Sequence, residues 1–272
     1  MTGGYSAYFD PAGGQSSNID GTGALPFWSG QSILSLARAP TAVIGRFAAP
    51  GGESIVGVGD SILDGANDAL SSMTPAGFGY FQRAAVDGTG AVPLAMLNIT
   101  RNGIATSHLL DAAAQPYWVP YLSFATTVVD ELGTNNLGAG PGAGAAAALD
   151  AALRSLWALY RQNGLGRIVR TRLQPRCGAG SGISPAGQTV APGWDVGEQR
   201  DLVNAALSRA LTEGVIDALV DLNTVWEDAS APGRWVTNAT SNYATADGTH
   251  PSAVLHAAAT PILRGAIVSG SA

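Results

Sequence analysis

The chain has 272 residues, of which 46% are hydrophobic and only 12% charged, ample for a packed core in one large domain or two small ones. A net charge of −6 offers no basic footprint for a phosphate backbone, so nucleic acid is not an expected partner and neutral or cationic substrates fit better. All 14 positive residues are Arg, and the absence of Lys excludes a P-loop lysine, a Schiff-base lysine and a serine–lysine dyad.

The single cysteine, Cys177, closes no internal disulfide and has no second thiol for a zinc site, and it reads as a structural thiol in a Gly-rich loop. The N-terminus shows neither a basic start nor an apolar core, and no run reaches the roughly 18 apolar residues of a membrane span. The expectation is a soluble protein, either cytoplasmic or exported with its signal removed.

Residues 1–50 are rich in Gly, Ser, Ala and Pro, with short apolar runs at 32–37 and 41–47. They read as an N-terminal extension of strands and loops, the remnant of a further module, ahead of a main domain over 51–272. From Ser54 onward, short apolar runs alternate with helical segments, which indicates an α/β fold. Strands are predicted at 54–58, 93–99, 124–132, 167–173 and 218–222, each apolar enough to be buried on both faces of a parallel sheet. Helices are predicted at 78–86, 107–114, 144–162, 196–212 and 252–267, as right-handed crossovers require. The 144–162 segment carries Leu149, Leu153, Leu156, Trp157 and Tyr160 at helical spacing, a core-facing stripe. Two longer irregular stretches, 175–193 and 228–246, are candidate binding loops.

A serine nucleophile needs a base in hydrogen-bond reach, a group that orients the base, and donors aimed at the oxyanion. Ser61, in Gly59-Asp60-Ser61-Ile62, directly follows the first strand and so emerges at its carboxyl end, where α/β sheets bind ligands. Gly59 permits a tight turn there. Asp247-Gly248-Thr249-His250-Pro251 stands just ahead of the last predicted helix, with Pro251 at a plausible first helical position. Asp247 can fold back to accept the Nδ1 proton of His250, leaving Nε2 to face Ser61.

These segments, with Asn98-Ile99-Thr100-Arg101-Asn102-Gly103 and Gly133-Thr134-Asn135-Asn136, resemble in order and spacing the four blocks of the SGNH hydrolases, also called the GDSL family. The resemblance covers the chain from Ser54 onward. It implies a three-layer α/β/α sandwich, flavodoxin-like, around a five-stranded parallel sheet. It further implies Ser61 as nucleophile, His250 as general base and Asp247 as its orienting acid. The oxyanion donors would be the N–H groups of Ser61 and Gly103 and the side-chain amide of Asn135. Neither metal nor cofactor is implied. The third block departs from the family's usual Asn-Asp ending, since Asn136 stands where an Asp with a structural role is expected, which puts loop support in doubt.

The reaction expected is hydrolysis of carboxylic esters of short acyl chains, acetyl to butyryl, through an acyl-enzyme. Within the same family, a carbohydrate O-deacetylase such as an acetylxylan esterase, or a lysophospholipase or thioesterase, is the alternative. The non-enzyme alternative is a glycan-binding module that has lost catalysis, against which the intact Ser61, Asp247 and His250 argue. An α/β-hydrolase would need Gly-x-Ser-x-Gly, which the chain lacks. His108 reads as a surface or cap residue and His256 as a partly packed one, and no metal-binding spacing joins them. A glycosidase pair of Glu131 and Glu227 is a weak rival. Trp118, Trp194, Trp235, Tyr117, Tyr121 and Tyr243 are candidate pocket walls, with ordinary packing as the competing reading.

Overall fold

A computed structural model describes residues 53–68, 79–86, 94–138, 140–178, 182 and 184–269. The extension predicted over 1–50 lies outside the described residues.

Five strands form one sheet: β1 (Ser54–Val58), β2 (Ala95–Asn98), β3 (Thr127–Asp130), β4 (Arg167–Thr171) and β5 (Ala218–Val220). Every pairing is parallel and the order is β2-β1-β3-β4-β5. This is the flavodoxin-like order, whose direction of winding reverses between β1 and β3 and opens a crevice at their carboxyl ends. All five predicted strands are present, and the four after β1 are trimmed at their ends.

The helices are α1 (Ser61–Asp64), α2 (Gly79–Val86), α3 (Thr106–Leu110), α4 (Thr134–Leu137), α5 (Ala145–Gln162), α6 (Gln199–Thr212), α7 (Asn223–Trp226) and α8 (Ala253–Val268). One face of the sheet, through Val56, Val128 and Ile168, packs against Leu149, Leu153, Trp157 and Tyr160 of α5 and Val203 and Leu207 of α6. The opposite face, through Ile55, Val129 and Val169, packs against Tyr80 and Phe81 of α2 and Leu255, Ala259 and Leu263 of α8. Burial on both faces is why these strands read as unbroken apolar runs instead of alternating ones.

Three expectations about helices need correction. The helix predicted over 107–114 is a single turn, α3, followed by 3-10 segments at Gln115–Tyr117 and Val119–Phe124. Asp111 ends it, leaving the helical region at ψ 119 while its carboxylate accepts from Ala113 N–H at 2.9 Å. The helix predicted from 196 begins at Gln199, because the preceding residues close a turn through Glu198 N–H to Asp195 O at 3.0 Å. Pro251 is not the first helical residue: Ser252 holds the cap position and α8 starts at Ala253, then runs through Pro261.

Candidate active site

Ser61 opens α1 immediately beyond β1, and the turn that presents it depends on close packing at Gly59. A Cβ there would stand 2.6 Å from Leu63 Cβ and 3.0 Å from Glu131 Oε2, so the residue must be Gly for lack of room. Asp60 caps α1, its Oδ1 accepting from Ile62 N–H at 3.0 Å. Its own N–H donates to Glu131 Oε2 at 3.1 Å, and its Oδ2 accepts from Asn135 Nδ2 at 3.0 Å. The nucleophile's turn is thus bolted to the end of β3 by the buried pair Asp60 and Glu131.

Behind that turn lies a charged core. Asp60, Glu131, Asp130 and Arg170 are all buried, with Arg170 donating to the carbonyls of Asp130 and Leu132. Burial pushes the Glu131 carboxyl well up, and the neighbouring Asp60 adds to the rise. Burial also raises Asp60, opposed by hydrogen bonding from Ile62 N–H and with Glu131 and by the charge of Arg170. Of the two carboxyls, Glu131 is the one pushed up further, because burial and the neighbouring Asp60 act on it in the same direction.

The acid–base loop is built locally. Asp247 Oδ1 accepts the N–H groups of Thr249 and His250, both at 2.9 Å, which folds four residues around one carboxylate. Its Oδ2 meets His250 Nδ1 at 2.7 Å, and His250 Nε2 meets Ser61 Oγ at 2.7 Å. Partial burial works to raise the Asp247 carboxyl, but hydrogen bonds from the His250 ring and the backbone outweigh it and hold it well below the usual carboxylate range. An ionised Asp247 is acceptor-only, which assigns the His250 proton to Nδ1 and leaves Nε2 to accept from Ser61. The loop is tied to the core through Gly248, whose carbonyl accepts from Trp235 Nε1 at 3.0 Å and from Cys177 N–H at 2.8 Å.

The three oxyanion candidates are placed with different readiness. The N–H of Ser61 is the first of α1 and, among the described residues, has no acceptor. Gly103 occupies the turn after β2 at φ +75, with open space around it and its N–H likewise unclaimed. Asn135 differs: its Nδ2 donates to both Asp60 Oδ2 and Ile104 O, each at 3.0 Å. An oxyanion would have to share or displace the Ile104 bond. Asn136, the departure from the expected Asp, donates from Nδ2 to Thr106 Oγ1 at 2.8 Å and accepts from Thr106 N–H at 3.2 Å. The amide clamps α4 to α3, so loop support is retained by different donors.

The structure gives the remaining sequence candidates ordinary duties. Trp118, Trp194 and Trp235 are core residues, whereas Tyr117 is 81% exposed. Glu131 lies behind the nucleophile's turn, and Glu227 is bound by Arg200 at 2.6 and 3.0 Å, so neither stands free as a glycosidase acid. His108 Nδ1 accepts from Ala105 N–H at the start of α3. Cys177 is buried and burial pushes its thiol pKa up, as fits a structural thiol.

Two contributors escaped the sequence. Asn67 donates from Nδ2 to Asp247 Oδ2 at 3.2 Å from a left-handed backbone, φ +69, and Asn is one of the few residues that tolerates it. His256 is wholly buried, accepts from Tyr80 N–H at 3.3 Å and lies 3.1 Å from Ala66 O, which pins the turn that carries Asn67. The only cue to Asn67 was an Asn soon after Gly65, too common to single out.

Solved structures share this arrangement of sheet and helices. Phospholipase A1 from Streptomyces albidoflavus NA297 superposes with a TM-score of 0.54 at 19% identity, over 79% of this chain and 99% of that one. Axe2, an acetylxylan esterase from Geobacillus stearothermophilus, gives 0.55 at 15% identity over 80% and 94%. The extracellular lipase from Streptomyces rimosus gives 0.52 at 18% identity over 79% and 100%. The chain has the SGNH hydrolase fold. No family model and no curated protein matches the sequence, so the likeness is one of architecture. The reversal point between β1 and β3 is where Ser61 meets His250 and where Asn135 meets Asp60, the residue before Ser61.

Proposed function

We propose that the chain is a serine esterase that hydrolyses carboxylic esters of short acyl chains, acetyl to butyryl. The observation that carries this is the unbroken relay from Ser61 Oγ to His250 Nε2 and from His250 Nδ1 to Asp247, both links at 2.7 Å. As Ser61 Oγ attacks the ester carbonyl carbon, its proton passes to His250 Nε2. The oxyanion is received by the N–H groups of Ser61 and Gly103 and by the Asn135 amide. Collapse breaks the bond to the alcohol oxygen, which takes the proton from His250. Water then attacks the acyl-enzyme by the same relay, releasing the acid and restoring Ser61.

Short acyl groups are favoured because Gly103 and Asp247 are exposed and, among the described residues, nothing lies within 4 Å of the Gly103 Cβ position, so this flank offers a long acyl chain no apolar wall. Among the described residues, no helix is long and apolar enough to cross a membrane. A carbohydrate O-deacetylase is a second form of the same reading, supported by the likeness to an acetylxylan esterase. A fluorophosphonate probe tests the proposal: stable labelling of Ser61 in the folded protein is expected, and a folded but unlabelled chain would sink it. Nitrophenyl esters of increasing acyl length should peak at acetyl to butyryl, and acetylated xylan separates the two forms.

A further inference from the structure

Arg176, on the loop that leaves β4, has no part in the relay. Its backbone is fixed on two sides: Ala191 N–H donates to Arg176 O at 2.9 Å, and the adjacent Cys177 N–H donates to Gly248 O at 2.8 Å, inside the acid–base loop. Its guanidinium carbon lies 5.6 Å from the centre of the Trp194 ring. That ring is fully buried and held by Nε1–H to Gly138 O at 2.8 Å, at the end of the helix that carries Asn135. The cation therefore stands between the acid–base loop and the end of the oxyanion helix.

Among the described residues, no carboxylate pairs with it at contact. Seven other described arginines come within 4.0 Å of a carboxylate, and Arg167 and Arg264 donate to backbone carbonyls. Among the described residues, only Arg101, Arg176 and Arg209 have side chains without a hydrogen bond or ion pair. Arg101 and Arg209 are exposed to water, whereas Arg176 is partly buried. Partial burial pushes its pKa down while the carboxylates of Asp60 and Asp247 push it up, so it senses both sides of the relay without touching either. A planar fork of five N–H donors, placed over a fixed ring, matches the oxygens of a carboxylate or phosphate.

We propose that Arg176 is a recognition site for an anionic group carried on the alcohol side of the ester, a site that rests on the reading of Ser61 as the ester nucleophile. The side follows from strand order: Gly103 comes after β2 and Arg176 after β4, on opposite flanks of Ser61. Arg176 is joined through Cys177 to the loop of His250, the residue that must protonate the leaving alcohol. The chain's net charge of −6 repels an anion only at a distance, where salt screens it, while a half-withdrawn cation acts at contact.

The test compares 4-acetoxybenzoate and 4-acetoxyphenyl phosphate with the neutral methyl 4-acetoxybenzoate, in the wild-type chain and in Arg176→Met and Arg176→Lys. Arg176→Met keeps an apolar stem over Trp194, and it should lower the ratio of anionic to neutral kcat/KM by about tenfold for at least one of the two anions. Arg176→Lys should retain part of that ratio, and raised salt should diminish it in the wild type. The anion whose ratio falls further is the better fit. Unchanged ratios in Arg176→Met would overturn the site. If the wild type hydrolyses none of the three esters, the esterase reading fails instead. The site is then judged by calorimetric titration of 4-hydroxybenzoate into the folded wild type and Arg176→Met, where equal binding or none in both overturns it and weaker binding in the variant supports it.

Discussion

The two halves of the site are held by opposite means. Ser61 is fixed from behind by groups far apart in sequence, with the buried Asp60 joined to the buried Glu131 and to Asn135 across more than seventy residues. Asp247 and His250 are fixed by one another, through a carboxylate that gathers two N–H groups and an imidazole within four positions. Damage behind the nucleophile should therefore harm stability and rate together, whereas damage in the acid–base loop should harm rate while leaving stability nearly intact.

The largest effect expected is on the relay itself. Ser61→Ala or His250→Ala should lower kcat for a nitrophenyl acetate by roughly 10³-fold or more. Both residues are only partly buried, so the urea midpoint should move little, by an amount worth about 0.5 kcal/mol at most. A Ser61→Ala chain with near-normal esterase activity would break the assignment. Asp247→Asn should follow, with a loss of about 10²-fold or more, because an amide NH₂ facing Nδ1 favours the tautomer whose Nε2 already bears a proton. Its Oδ1 can still accept the Thr249 and His250 N–H groups, so stability should hold.

The opposite half predicts the opposite pattern. Asp60→Ala removes the buried cap on Ile62 N–H and an acceptor for the exposed Asn135. The expected outcome is a loss of about 1–3 kcal/mol in urea unfolding, with kcat down roughly tenfold as the Asn135 amide loses its aim. If stability falls but kcat does not, Asp60 caps the helix without positioning the oxyanion donor.

This contrast also explains what could be read from the sequence. Ser61, Asp247, His250, Gly103 and Asn135 stand in short contiguous motifs at strand ends, so their order and spacing carry the signal. The sheet was legible because strands buried on both faces are continuous apolar runs. Glu131, Asn67 and His256 were not legible as supports, because each acts across the fold on a partner 71, 180 and 190 positions away. Helix ends were lost for a local reason, since Asp111 and Asp195 trade helix for turns through their own carboxylates and carbonyls.

His256 sharpens the comparison through pH. Burial, ahead of all other influences, lowers its pKa to about 4, against 6.5 for an unperturbed histidine. Between those values the unfolded chain binds a proton that the folded chain does not, so stability falls as pH drops through this window, by up to about 3 kcal/mol. Urea unfolding between pH 7 and pH 4.5 should show the slope, and His256→Gln should flatten it. Because the raised buried carboxyls act in the opposite sense, the difference between the two slopes is the measure, and equal slopes in wild type and His256→Gln would place the His256 pKa near its ordinary value.

The smallest effect is expected where the motif departs from its usual form. Asn136 and Thr106 exchange two hydrogen bonds, one in each direction, between α4 and α3. In Asn136→Asp the carboxylate still accepts from Thr106 N–H, and the Thr106 hydroxyl, which can turn, donates to the second oxygen. The two-bond clamp survives with one bond reversed, so stability should change by no more than about 0.5 kcal/mol and kcat by less than about threefold. Asn136→Ala, which removes both bonds and strands the buried Thr106 N–H, should lose about 1–2 kcal/mol. Equal losses in the two variants would mean that the amide's donation, rather than the clamp, holds Asn135 in place.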